Sequence, residues 1–237
     1  MNSRASLAAA LLCLSVSGCA ATTAGIATPA PNAPLNRPLS DLLTTPEALP
    51  SLLLSAPEVG SALSANDMVV TRDVDALWDD STRLADGPDC LAVAGAAQQA
   101  AYAGSGWTAM HGQVLRDPPS SQWLRFATQA VVLFPSSTAA ENFFARSRDS
   151  WTGCSDRELT YPQQLAPDQL WSIGPVGIER EVLAVARVQR SPQQWSCQRA
   201  LTVHENVAVD VEACSLTGST PPATAIASTI ADRLPTP

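Results

Sequence analysis

The side chains of this 237-residue chain best suited to chemistry are six cysteines and two histidines. Cys13 and Cys19 stand near the N-terminus. Cys90, Cys154, Cys197 and Cys214 are spread over the rest. They form no CxxC pair, and neither His111 nor His204 sits at metal-ligand spacing from any of them. A zinc site is therefore not expected, nor any other metal or cofactor. Ser105 lies in Ala103-Gly104-Ser105-Gly106, which lacks the first glycine of a GxSxG nucleophile motif. Its helix-to-strand setting is also the reverse of a nucleophile elbow. Asp210 and Glu212 fall on an expected strand, where a solvated face or an ion pair explains them better than glycoside hydrolysis. No glycine-rich phosphate loop occurs. The expectation is a protein with no catalytic residues.

Cys19 carries a different chemistry. Arg4 provides a basic start, Leu11 to Val16 a short apolar run, and Val16-Ser17-Gly18-Cys19 a small-residue stretch ending in cysteine. The run is too short to span a bilayer. The pattern resembles the lipobox of bacterial lipoproteins, in which cleavage before the cysteine leaves it as the acylated N-terminus. On that reading residues 1–18 are a signal peptide, Cys19 is lipidated, and the protein sits on the extracytoplasmic face of the cell membrane. Several acyl chains give a stable anchor where a single one does not. Outside the cytoplasm, the four remaining cysteines read as two disulfides.

The composition narrows the partners. All 14 basic residues are arginine, 22 are acidic, and the net charge is −8. With no basic cluster, neither nucleic acid nor an anionic membrane surface is an expected electrostatic partner. Residues 19–46 are rich in Ala, Thr, Pro and Asn without apolar periodicity, which predicts a flexible tether. Residues 47–237 suffice for one domain.

Within that domain, Ser55 and Glu58 form a capping box with Pro57 in the first turn, which starts a helix ending near Ser64. A strand is expected over Asp67 to Thr71, then a loop over Asp73 to Asp89. An alanine-rich helix is expected from Cys90 to Tyr102. Trp107 to Leu115 and Gln122 to Phe134 read as a hairpin around Asp117-Pro118-Pro119-Ser120. Thr138 and Glu141 suggest a second capping box, opening a helix with Ala140, Phe143, Phe144, Ser147 and Trp151 on one face. Glu179 to Gln189, Trp195 to His204 and Val207 to Ala213 read as strands. Thr220 opens a last helix with Ala223, Ile226, Ala227, Ile230 and Leu234 as its apolar stripe. The order predicts an α+β fold, a twisted, mostly antiparallel sheet with helices packed on it.

Register assigns the disulfides. A two-residue loop at Glu205-Asn206, with asparagine suited to positive φ, pairs His204 with Val207. Arg199 then opposes Glu212, an opposite-charge pair, and Cys197 opposes Cys214 at a non-hydrogen-bonded position, with Cα atoms about 4.5 Å apart. The remaining bridge is Cys90–Cys154. Nothing nearby would lower a thiol pKa, so redox chemistry is not expected. The six tryptophans, Trp78, Trp107, Trp123, Trp151, Trp171 and Trp195, are read mainly as packing groups; some could line a ligand cleft.

Several stretches carry a family resemblance: Leu52 through Val59, Pro88-Asp89-Cys90, Tyr102 through Trp107, Gln129 through Pro135, Trp151-Thr152-Gly153-Cys154, and Trp195 through Ala200 on to Asn206-Val207 and Cys214. In that order, with all four cysteines in place, the chain resembles the extracellular sensor domain of the mycobacterial serine/threonine kinase PknH and the lipoproteins that carry it alone. The resemblance implies an α+β domain with two disulfides and a wide cleft for an unidentified ligand, and no enzyme activity. This chain has no kinase domain and no transmembrane helix. The expected function is a lipid-anchored, non-catalytic binding or sensor-like module of the cell envelope. It would take a small molecule or envelope fragment, or meet an envelope protein. The alternatives are an envelope hydrolase using His111 or His204 on lipid or glycan, and a structural lipoprotein acting through protein contacts.

Overall fold

Strand β9 (Val207–Ser215) is buried along its whole length, Asp210 and Glu212 included, so the apolar–polar alternation of Val209 to Ala213 does not mark a half-exposed strand. It occupies the middle of one sheet. In this computed structural model the described residues are 43–85, 88–118, 124–192, 194–216, 219 and 221–235. The expected signal peptide, Cys19, most of the expected tether, Trp123 and Thr220 lie outside them. Among the described residues the other strands are β1 (Val69–Val74), β2 (Ala109–Arg116), β3 (Arg125–Leu133), β4 (Glu158–Tyr161), β5 (Gln169–Ile173), β6 (Gly177–Glu179), β7 (Val182–Gln189) and β8 (Ser196–His204). The sheet runs β1-β2-β3-β9-β8-β7-β5-β4, with β6 paired to β7, and every strand pairing is antiparallel.

Helices cover both faces. Val207, Val209, Val211 and Ala213 pack with α1 (Leu49–Leu52), α2 (Ala56–Leu63) and α6 (Ala223–Ala231). Helix α6 contributes the expected stripe of Ala223, Ile226, Ala227, Ile230 and Leu234. Full burial of each isoleucine there is worth about 1.5–3 kcal/mol. Ala208 and Cys214 point the other way, into the core formed with α3 (Leu91–Ala94), α4 (Gln99–Tyr102) and α5 (Ser137–Thr152). The structure is thus an α+β fold. The packed body already includes Thr44, whose backbone N–H and C=O both bond the side chain of Asn206.

The hairpin register is as the loop length requires: His204 pairs with Val207, Arg199 with Glu212 and Cys197 with Cys214. The positive φ falls on Glu205, at 49°, and not on Asn206. The Asn206 amide is committed elsewhere, to Thr44 and to the Phe134 carbonyl. Helix α2 has its Ser55–Glu58 capping box. Helix α5 starts earlier than the sequence suggests. Ser136 accepts from the Ala139 N–H and is the N-cap, which leaves Thr138 inside the first turn.

The alanine-rich segment departs most from expectation. It is two short helices, broken at Gly95 with φ −161° and ψ 153°. Ala97 takes the left-handed region at φ 49°, costly for a residue with a Cβ. Long-range hydrogen bonds outweigh helix propensity here. Ala97 donates its N–H to the Asp210 carboxylate and accepts at its carbonyl from Trp78, and Gln99 donates to the Trp78 carbonyl. Strands β4 and β5 also go beyond the expected elements.

Candidate functional site

Residues of one sheet face keep the same parity across the ladder: Phe126, Cys214, Cys197 and Arg187 align in register, as do Thr128, Glu212 and Arg199. At one end of this face α5 and the α3–α4 segment close over Ala130, Val132 and Ala208. Farther along the strands the same face forms the floor of a cavity of about 890 Å³. That is at the upper end of small-molecule pockets. Described residues between Trp78 and Gln98, among them Asp80, Leu91 and Ala94, form one wall.

Trp78 shapes that wall. Its ring lies so close to Gly112 that an added Cβ would come within 2.7 Å of it, which explains glycine in mid-strand. Gln98 then ties the wall together, accepting from the Asp80 N–H at 3.0 Å and donating to the Asp80 carboxylate at 3.0 Å.

On the floor, Arg187 is 5 % exposed and Glu212 6 %. They form an ion pair, and the second guanidinium nitrogen of Arg187 donates to the Tyr161 hydroxyl at 3.2 Å. The guanidinium also stacks over Trp171, 4.6 Å from the ring centroid. The neighbouring Tyr102 hydroxyl donates to Asp210 at 3.1 Å. The expected side-chain pair Arg199–Glu212 does not form although the two residues are opposite in register. Arg199 turns diagonally to Asp210, 2.7 Å away, and Glu212 turns to Arg187. The reason is burial: Asp210 also has the Ala97 N–H to hold, and Arg199 needs the Ala92 and Val211 carbonyls for its other donors.

Both tyrosines of the chain are pushed above the usual phenol value. Tyr102 is moved mainly by burial and further by the Asp210 charge; Tyr161 is moved by burial, partly opposed by Arg187. A raised folded-state pKa supplies stability that is complete below the unfolded value of about 10 and is lost as pH rises through the folded value. Absorbance titration at 295 nm is therefore expected to show no tyrosinate step at the free-phenol pH while the protein is folded, then both ionising together as it unfolds. A normal step for one tyrosine in the folded protein would contradict this placement.

The other candidate side chains are kept apart. The His111 Nδ1 lies 2.7 Å from an Asp75 oxygen and its Nε2 3.4 Å from Asp73, beside edge strand β1. His204 meets the Pro235 carbonyl at 3.1 Å. The buried Ser105 hydroxyl has no hydrogen-bond partner among the described residues, so neither histidine activates it. Cys197, Glu212 and Cys214 cluster closely, but both sulfurs are in one disulfide and cannot ligate a metal as thiolates. The bridges are Cys90–Cys154 and Cys197–Cys214, with Cα atoms 5.7 Å and 4.0 Å apart. Of the tryptophans, Trp78, Trp171 and Trp195 line the cavity, whereas Trp151 is core and stacks on Arg199. Arg72, Arg116 and Tyr161, also in the lining, carry no signal in the sequence. Arg187 does carry one: it is a lone charge in the apolar run Val182 to Val188.

The family described as the PknH-like extracellular domain matches residues 44–233. The chain belongs to that family. The PknH-like extracellular domain thus starts at Thr44, where packing against Asn206 begins. Serine/threonine-protein kinase PknH of Mycobacterium bovis is 32 % identical over 168 residues, covering 71 % of this chain and 28 % of that protein. PknH of Mycobacterium tuberculosis is 32 % identical over the same length, with 26 % of that protein covered. The chain therefore spans about a quarter of these kinases. The crystal structure of the extracellular domain of PknH from Mycobacterium tuberculosis superposes with a TM-score of 0.72 at 30 % identity, covering 81 % of this chain and 97 % of that one. The similarity is to the extracellular domain and not to a catalytic domain. No helix among the described residues is long and apolar enough to cross a membrane.

Proposed function

We propose that this protein is a lipid-anchored, extracytoplasmic ligand-binding module with no catalytic role, held at the membrane by acylated Cys19 through a tether shorter than the expected residues 19–46, because Thr44 is already packed on Asn206. The observation that carries the reading is the 890 Å³ cavity on one face of a disulfide-stapled sheet, lined by three tryptophans and a buried ion pair. A cavity of that size and mixed lining suits a small molecule or an envelope fragment. Family membership supports the extracytoplasmic location, since the matched part of the relative is its extracellular domain. On this reading binding would be read out by an envelope partner, or by depleting a ligand that a receptor kinase also senses.

Native mass spectrometry of the protein purified from its own membranes tests the reading. The expected spectrum shows a chain beginning at Cys19, acyl mass on that residue, and an adduct released on unfolding. Clean acylated protein without an adduct, from repeated preparations, would move the role to protein contacts. Cys19→Ala is expected to shift most of the protein from the membrane to the soluble fraction, because the acylated residue is removed. Unchanged membrane association on fractionation would refute the anchor.

A further inference from the structure

The charges of the cavity are largely taken up within the protein. Arg187 is paired with Glu212 and Arg83 with Asp80. Arg116 is engaged as well. Arg72 also belongs to the lining, but it is exposed and water solvates it. A charged ligand would have to compete with pairs already made or with bulk water.

The hydrogen-bonding capacity left open on the lining is neutral. Thr128 and Trp171 are each 8 % exposed. Thr128 Oγ1 and Trp171 Nε1 have no hydrogen-bond partner among the described residues, and unlike Trp78 Nε1 and Arg187 Nε they are not sealed from solvent. Both residues line the cavity, so a ligand can reach them. Gln189 pairs with Trp171 across β5 and β7, and Gln169 stands two residues before Trp171 on the same face. Both glutamines also line the cavity. Gln189 accepts from the Ser191 hydroxyl at 3.4 Å through its carbonyl oxygen, which leaves its amide N–H groups to donate. Beside these groups stand two half-buried aromatic residues, Phe126 and Trp195, with ring centroids 5.9 Å apart and planes tilted by 53°.

Hydroxyls and amides that both donate and accept, set beside aromatic rings, suit a sugar. Each sugar hydroxyl donates and accepts, and one face of the ring presents only C–H bonds, which pack on an aromatic surface. A cavity of about 890 Å³ leaves room for more than one sugar ring.

We infer that the ligand of this cavity is an uncharged glycan, either a free oligosaccharide or the sugar portion of a glycolipid. The inference rests on the reading of the cavity as a binding site. The test uses the full acylated protein in phosphatidylcholine nanodiscs, free of glycoside detergents. Calorimetry and tryptophan fluorescence would follow maltotriose, cellotriose, chitotriose and, as the charged counterpart, trigalacturonate. At least one neutral trisaccharide is expected to bind at millimolar concentration or below, and trigalacturonate no more tightly. Thr128→Val and Gln169→Ala are each expected to weaken that binding about threefold or more, the loss of one neutral hydrogen bond. The urea midpoint of Thr128→Val should be unchanged or higher, since a near-isosteric apolar group replaces a hydroxyl without a partner. Trigalacturonate binding about tenfold tighter than every neutral sugar would overturn the inference, as would neutral binding that neither substitution changes. Binding of none of the four also overturns it. Native mass spectrometry separates this failure from that of the underlying reading. An adduct that does not fragment in sugar-residue steps sinks the glycan and leaves the binding site. No adduct, together with no binding, sinks both. An adduct that does fragment in those steps supports the glycan, and acyl mass within it would identify a glycolipid source.

Discussion

Asp210→Ala is expected to remove about 3–5 kcal/mol of stability, the usual cost of leaving one buried charge without its partner. Arg199 is 1 % exposed and Asp210 3 %, so water cannot replace either partner. The carboxylate also accepts from the Ala97 N–H at 2.8 Å and the Tyr102 hydroxyl at 3.1 Å. One substitution therefore orphans a guanidinium, a backbone amide and a phenol. The Ala97 contact matters most for the cavity, because it holds a left-handed alanine in the wall beside Trp78. Urea unfolding should show the loss as a lower midpoint at unchanged slope. Hydrogen exchange should show the Ala97 amide opening early. Asp210→Asn keeps the shape and can still accept from Ala97, but it leaves the Arg199 charge unbalanced, so an intermediate loss is expected. A loss below about 1 kcal/mol for Asp210→Ala would mean that the pair contributes little net free energy.

What the sequence made legible was local. The β8–β9 hairpin followed from the distance between two apolar runs and a two-residue loop, which together fix every opposite residue. The α6 stripe followed from helical period. Side-chain partners did not follow from register. Arg199 and Glu212 face each other along the ladder, yet each turns to a different partner, because burial obliges every donor and acceptor to be satisfied in three dimensions. The alanine-rich segment was misread for the same reason: helix propensity is a fraction of a kcal/mol per residue, and one carboxylate arriving from β9 outweighs it. The four-residue strand β4 is too short for a period to show. The cavity was illegible as a whole. Its lining depends on a strand order that brings Arg72 of β1 and Arg187 of β7 to one depression, and no local pattern encodes that order.

Removing the Cys90–Cys154 bridge by Cys90→Ala/Cys154→Ala is expected to cost about 4 kcal/mol, and removing Cys197–Cys214 about 3 kcal/mol, from loop-closure entropy alone. The ranking follows from sequence separations of 64 and 17 residues. The longer bridge also has a local task. It fastens the chain just before α3 to the end of α5, so the cavity wall is pinned at Cys90 and again at Ala97. The two pins hold one segment, and their effects should not add. With the bridge gone, much of the wall is already released, and Asp210→Ala should cost at least about 1 kcal/mol less than it does in the intact protein, a coupling typical of groups acting on one element. A double-mutant cycle by urea unfolding under matched buffer measures this directly. Strict additivity would show that the wall is two independent pieces, one held by the bridge and one by the carboxylate. Coupling would show that residues 88–102 are a single lever resting on the sheet, so that whatever loosens either end alters the shape of the cavity floor's only described cover at that side, and with it the retention of any ligand.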